Sequence, residues 1–236
     1  MTRLLIIDTN SPDLNAAALV NGKLPMGDMF ADAMQAIDPG IACQVAEPYD
    51  AAPDWNGQPP VDGIIFTGAF VDWNVDAPQA APIHEAWDWA VGQGVPIWGS
   101  CNGMQLAAFR LGGVNELSPH GVEVGLAQSL VPTDHPMMAG RTGAFAAPCA
   151  HRAEVTQLPP PAQITARNTH SPVQAMAVQT DALTFWGTQY HPELSTDQIR
   201  FWVGISGGVC PVSDDPPDRT LELRNWLALV RACAMS

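Results

Sequence analysis

Val95-Pro-Ile-Trp-Gly-Ser-Cys-Asn-Gly-Met-Gln-Leu-Ala-Ala-Phe109 changes character twice within fifteen residues. It opens as a short apolar run behind Gly94, the pattern of a buried strand. At 99–103 it becomes Gly-x-Cys-x-Gly. Beyond that, Met104, Leu106, Ala107, Ala108 and Leu111 are apolar on a helical repeat, and Gly112-Gly113 stop the helix. A strand turning sharply into a helix around a nucleophile is an elbow. Glycine on both sides lets the backbone bend where a Cβ would collide. Cys101 is therefore expected at the carboxyl end of the strand with its sulfur exposed. The helix N-terminus beneath it favours thiolate over thiol. The competing reading of a lone Gly-x-Cys-x-Gly is a small buried hydrophobe.

A second stretch, Phe185-Trp-Gly-Thr-Gln-Tyr-His-Pro-Glu193, supplies what a cysteine nucleophile needs. Residues 186–190 read as a strand, with His191 and Glu193 at its end. One residue apart in extended chain, the two side chains face the same way. A base that takes the thiol proton, with a carboxylate fixing its tautomer, completes the nucleophile–base–orienter arrangement. An isolated His191 would read instead as a structural strand-end histidine.

Together, Gly99-Ser-Cys-Asn-Gly-Met-Gln105 and Gly187-Thr-Gln-Tyr-His-Pro-Glu193 resemble the class I glutamine amidotransferases of the Cys-His-Glu group, the glutaminase of GMP synthase among them. Asp62-Gly-Ile-Ile-Phe-Thr-Gly-Ala69 is similar to the strand and turn before that family's oxyanion loop. Pro172-Val-Gln-Ala-Met-Ala-Val178 is similar to the strands leading into the His strand. The resemblance spans residues 62–193. It implies Cys101, His191 and Glu193 as catalytic residues.

Acyl transfer needs donors aimed at the developing oxyanion, and backbone N–H groups provide them without added charge. One candidate is Asn102, the residue after the nucleophile. The resemblance supplies the other at the 68–70 turn, where Ala69 is the better match and Gly68 permits the bend. Ala69 and Phe70 stand where the family has Gly and Pro. The resemblance also makes Gln105 a substrate contact and sets His151 at the border of the substrate pocket. There Ala153 replaces the family's Asp, and the neighbouring Glu154 should point elsewhere. Ser100 and Asn102 are more polar than the family's usual residues beside the nucleophile.

The 236 residues suit one α/β domain, read as a single amidotransferase-like domain over 1–236. With 47% hydrophobic and 14% charged residues the chain can bury a large core. Its net charge of −14 and its single lysine, Lys23, speak against nucleic acid or anionic membrane as partner. Cys43, Cys101, Cys149, Cys210 and Cys233 form no CxxC pair, which with no leader pattern suggests reduced thiols in the cytoplasm. The histidines lack metal-ligand spacing, so no metal and no cofactor are expected.

In chain order, residues 4–8 read as a buried first strand broken by Thr9-Asn-Ser-Pro12, residues 28–37 as a helix, and 41–46 as a strand. A loop at 47–60 follows, then a strand at 61–66 and a helix at 80–91. Residues 114–158 alternate short β runs with Pro and Gly breaks, as an added antiparallel sheet. Further strands are expected at 164–168 and 173–178, a capped helix at 196–203, a loop at 206–218, and an amphipathic helix at 219–234. The resulting architecture is a three-layer, flavodoxin-like α/β fold with a mostly parallel sheet and an added small antiparallel sheet.

The expected reaction is hydrolysis of a γ-carboxamide through a Cys101 thioester. In one reading the chain is a glutaminase passing ammonia to an acceptor. The sequence holds no G-x-x-x-x-G-K, so that reading needs a separate synthetase chain. The alternatives are a γ-glutamyl amide or peptide hydrolase with the same triad, and a non-catalytic binding member of the fold.

Overall fold

A computed structural model describes residues 1–49, 53–211 and 213–235. Residues 50–52 of the expected 47–60 loop and residue 212 of the 206–218 loop lie outside the described residues. The strands are β1 Arg3–Ile7, β2 Ala42–Ala46, β3 Gly63–Phe66, β4 Ile97–Ser100, β5 Val114–Leu117, β6 Glu123–Pro132, β7 Phe145–His151, β8 Ala153–Gln157, β9 Ala162–Arg167, β10 Ala175–Gln179 and β11 Thr184–Thr188. The helices are α1 Pro12–Val20, α2 Met26–Ile37, α3 Ala81–Gly92, α4 Asn102–Arg110, α5 Thr196–Ile205 and α6 Leu221–Cys233.

Nine strands form one sheet in the order β2-β1-β3-β4-β11-β10-β9-β6-β7. From β2 to β11 every neighbouring pair is parallel; from β11 to β7 every pair is antiparallel. Most of the added antiparallel strands thus extend the main sheet. Only β5 and β8 form a separate two-stranded ribbon.

The parallel strands are buried on both faces, which is why 4–7, 63–66 and 97–100 read as continuous runs rather than alternations. Leu4, Ile6, Ile65 and Trp98 pack with Phe30 and Met34 of α2 and Leu223, Trp226 and Val230 of α6. Their sequence neighbours Leu5, Ile7, Ile64 and Ile97 face the other way, onto Ile83, Trp87 and Ala90 of α3 and Met104 and Leu106 of α4. Strand periodicity therefore builds the three layers, each large apolar side chain contributing about 1.5–3 kcal/mol.

Two elements differ from expectation. Thr9-Asn-Ser-Pro12 does end β1, but Ser11 and Pro12 also start helix α1, with Ser11 Oγ accepting from the Leu14 N–H at 3.4 Å. The Ser-Pro pair is an N-cap and first-turn signal as well as a breaker. Residues 136–138, expected to continue the antiparallel strands, form a 3₁₀ turn. Pro136 fixes φ and removes a ladder donor there. Among the described residues no helix is long and apolar enough to cross a membrane.

Candidate active site

β4 and β11 lie side by side in parallel, with Gly187 paired to Gly99 and Thr188 to Ser100. Their carboxyl ends release the chain into Cys101 and into the segment bearing His191 and Glu193. This is the rim of a parallel sheet where ligands bind. The Cys101 N–H donates to Thr188 O at 2.6 Å and the Gly103 N–H to Thr67 O at 3.2 Å, tying the elbow to both flanking strands. A Cβ on Gly103 would fall 2.5 Å from Phe66 O, so only glycine lets α4 start this close to the sheet.

Cys101 itself has φ 46° and ψ −101°. A non-glycine residue held there costs about 1–3 kcal/mol and persists only where the surroundings over-determine it. The sulfur is less open than the sequence suggested: Cys101 is 5% exposed. It lines a cleft of about 450 Å³ and is reached through it. The Gln189 side-chain amide donates to Sγ at 3.3 Å, and Gln105 Nε2 donates to Gln189 Oε1 at 3.1 Å and to Ala153 O at 2.8 Å.

His191 is fully buried. Its Nδ1–H donates to Glu193 Oε1 at 2.8 Å. Its Nε2 has no hydrogen-bond partner among the described residues. The ring and the Cys101 side chain both lie against Gly68, and Cys101 acts on the imidazole electrostatically. Burial pushes the imidazole down, but the Glu193 charge and the pull of Cys101 outweigh it and raise His191 to about 10. A loose contact before substrate binds is ordinary for a proton-transfer pair.

Glu193 is held in turn. Ser100 Oγ–H donates to Glu193 Oε2 at 2.9 Å, and Trp98 Nε1–H donates to Ser100 Oγ at 3.0 Å. Trp98 and Ser100 are two apart on β4 and so share a face. The sequence had marked Ser100 only as unusually polar; its spacing from Trp98 was the available signal. Losing this hydroxyl strips a donor from a buried carboxylate and an acceptor from an indole. Ser100→Ala is accordingly expected to lower unfolding stability by about 1.5–3 kcal/mol in a denaturant titration.

The 68–70 turn lies against the same pair. A Cβ on Gly68 would sit 2.4 Å from His191 Cε1 and 3.5 Å from Cys101 Cβ. Ala69 and Asn102 line the cleft, and their backbone N–H groups donate to no acceptor among the described residues. Phe70 anchors the turn: its N–H donates to Asn10 Oδ1 at 3.1 Å. Its ring stacks on His191 with centroids 5.9 Å apart and on Trp202 of α5 at 5.7 Å. The sequence reading had missed Asn10, Trp202 and Gln189.

Gln105 and His151 both line the cleft. The Gln105 amide nitrogen is occupied as described, leaving its carbonyl oxygen for a ligand. His151 has no nitrogen to spare: Nδ1 lies 3.2 Å from Ala153 O and Nε2 2.8 Å from Glu123 Oε2, both within hydrogen-bond distance. Glu123 also accepts from Gln174 and Asn168, and these bonds with His151 overcome burial to hold its carboxyl below the usual range. Glu154 is buried and is not part of the cleft wall.

A larger depression of about 620 Å³ over residues 131–144 contains His135 and Asp134 but no cysteine. Among the described residues no group of three or more His, Cys, Asp and Glu could hold a metal ion.

Comparison with known proteins fits this geometry. The Glutamine amidotransferase class-I family matches residues 40–199. A γ-glutamyl-L-1-hydroxyisopropylamide hydrolase of Pseudomonas sp is 33% identical, over 84% of this chain and 70% of the relative. A glutamine-hydrolysing GMP synthase of Thermomicrobium roseum is also 33% identical, over 83% of this chain, which spans only 35% of that relative. Two solved structures share the fold. One is a glutamine amidotransferase from Thermotoga maritima (TM-score 0.67, 13% identity, covering 97% of this chain and 97% of that one). The other is a glutamine amidotransferase from Methylobacillus flagellatus (TM-score 0.66, 22% identity, covering 100% and 94%). With a nucleophile elbow, a buried His–Glu pair at the neighbouring strand end and a family match over more than half its length, the chain belongs to the class I glutamine amidotransferases.

Proposed function

We propose that this chain hydrolyses the γ-carboxamide of a γ-glutamyl substrate through a thioester on Cys101. The observation that carries this reading is one imidazole with two distinct sides: Nδ1 held by Glu193 and Nε2 without a hydrogen-bond partner, with Cys101 packed against the same Gly68 turn. The Cys101 thiolate attacks the carboxamide carbon. The oxyanion forms against the Ala69 and Asn102 N–H groups. His191 Nε2 gives its proton to the leaving nitrogen as the C–N bond breaks, leaving a γ-glutamyl thioester. Water then attacks the thioester carbon and loses a proton to His191, freeing glutamate and the thiolate. Glu193 stabilises the imidazolium at each stage, and Gln105 Oε1 accepts from the substrate's α-ammonium. The cytoplasm is the compartment in which Cys101 stays reduced.

Two substrates suit this chemistry. With glutamine the product is ammonia, and a synthetase that accepts it is the partner that role calls for. With an N-substituted γ-glutamyl amide the product is an amine, as the name of the Pseudomonas relative suggests. Purified protein is assayed for ammonia and amine release from both, beside Cys101→Ala. Release from glutamine supports the first role, and release from the substituted amide alone supports the second. Silence on both overturns the hydrolase reading.

Gly68 offers a check on positioning. In Gly68→Ala the new methyl must displace an imidazole that is clamped by Glu193 and stacked on Phe70. A shift of this size costs about 10²-fold in kcat. Steady-state kinetics on protein with an unaltered circular-dichroism spectrum is the measurement.

A further inference from the structure

The cleft over Cys101 is lined by both polar and apolar side chains. The polar ones include the Gln105 amide and Arg152, the only Lys or Arg in the lining among the described residues, whose guanidinium donates to Asp72 O. The apolar ones form a wall in which Phe70, Val124 and Ala150 pack in one cluster with Val203 of α5. Val209 extends this wall at the mouth of the cleft and is 88% exposed.

The apolar wall stands on the His191 side. Phe70 stacks on the imidazole and on Trp202, and Trp202 belongs to the helix that carries Val203. In the hydrolase reading proposed above, on which this inference rests, the leaving nitrogen must come within reach of His191 Nε2. Any group on that nitrogen is therefore directed over Phe70, Val203 and Val209. Ammonia as leaving group would leave the wall, with its exposed valine, facing water.

We propose that the preferred substrate is an N-alkyl γ-glutamyl amide whose apolar amine substituent seats on Phe70, Val203 and Val209. The bonds made and broken are those of the hydrolysis above, with a primary alkylamine leaving in place of ammonia.

The test is a homologous series of glutamine and γ-glutamyl methyl-, ethyl- and n-butylamide, with the full chain and with Val209→Asp. A CH₂ taken out of water is worth about 0.8 kcal/mol, so kcat/KM should rise about fourfold per methylene. Val209→Asp should flatten that rise. A series that is flat, or that falls from glutamine onward, overturns the apolar subsite while leaving the hydrolase reading intact. No turnover of any member, with Cys101 unlabelled by a γ-glutamyl chloroketone, overturns the hydrolase reading and this inference with it.

Discussion

Cys101→Ala is expected to abolish turnover, lowering kcat by about 10⁴–10⁶-fold while leaving the fold intact. The hydroxyl next in sequence is no substitute: Ser100 points to Glu193 and is already hydrogen-bonded on both sides. The alanine variant should still bind substrate, because Gln105 keeps its hydrogen bond to Ala153 O at 2.8 Å without the sulfur. The backbone strain at this position gives the experiment a second readout. Cys101 sits at φ 46°, where glycine is at ease. Cys101→Gly should therefore be equally dead yet more stable than wild type by about 1 kcal/mol in a denaturant titration. A strained residue kept where glycine would stabilise is the trade expected of a nucleophile.

Glu193→Gln should be the second most damaging change, costing between about 10² and 10⁴-fold in kcat. The amide can still meet His191, but the charge that supports the imidazolium is gone. The effect should appear in pH dependence as well as in rate. Burial lowers the His191 pKa, yet Glu193 and Cys101 raise it to about 10, above its ordinary 6.5. A raised folded-state pKa contributes stability that is fully present below about pH 6.5 and lost as pH climbs through about 10. Wild-type activity should hold through neutral pH and fall on an alkaline limb near 10, where His191 loses its proton. In Glu193→Gln that limb should move down in pH. The loss of melting temperature between neutral and alkaline pH should shrink with it. A pH–rate profile alongside thermal melts at each pH reads both.

How far the sequence carried the reading depended on the range of the signal. Apolar runs such as Leu4–Ile7 and the Gly-x-Cys-x-Gly elbow are local, and they placed the parallel sheet and the candidate nucleophile. His191 and Glu193 were legible because one residue of extended chain separates them. What stayed hidden was contact between distant segments. Asn10 holds the Phe70 N–H from sixty residues away. Trp202 backs Phe70 from the other end of the chain. Phe70 had looked like a departure from the family's turn; in three dimensions it is the ring that joins the turn, the imidazole and helix α5. His151 and Gln105 were placed at the cleft by resemblance, but their hydrogen bonds could not be read in advance. Only the fold reveals that His151 spends both nitrogens on Ala153 and Glu123.

The most direct measurement is chemical capture of the intermediate. Protein mixed with a γ-glutamyl amide is quenched in acid within a turnover, digested, and its peptides weighed. Cysteine–histidine catalysis at this strand end requires one γ-glutamyl group on the peptide bearing Cys101, absent after Cys101→Ala. Amine release with that peptide unmodified at every quench time, or with the γ-glutamyl group on another residue, would contradict it.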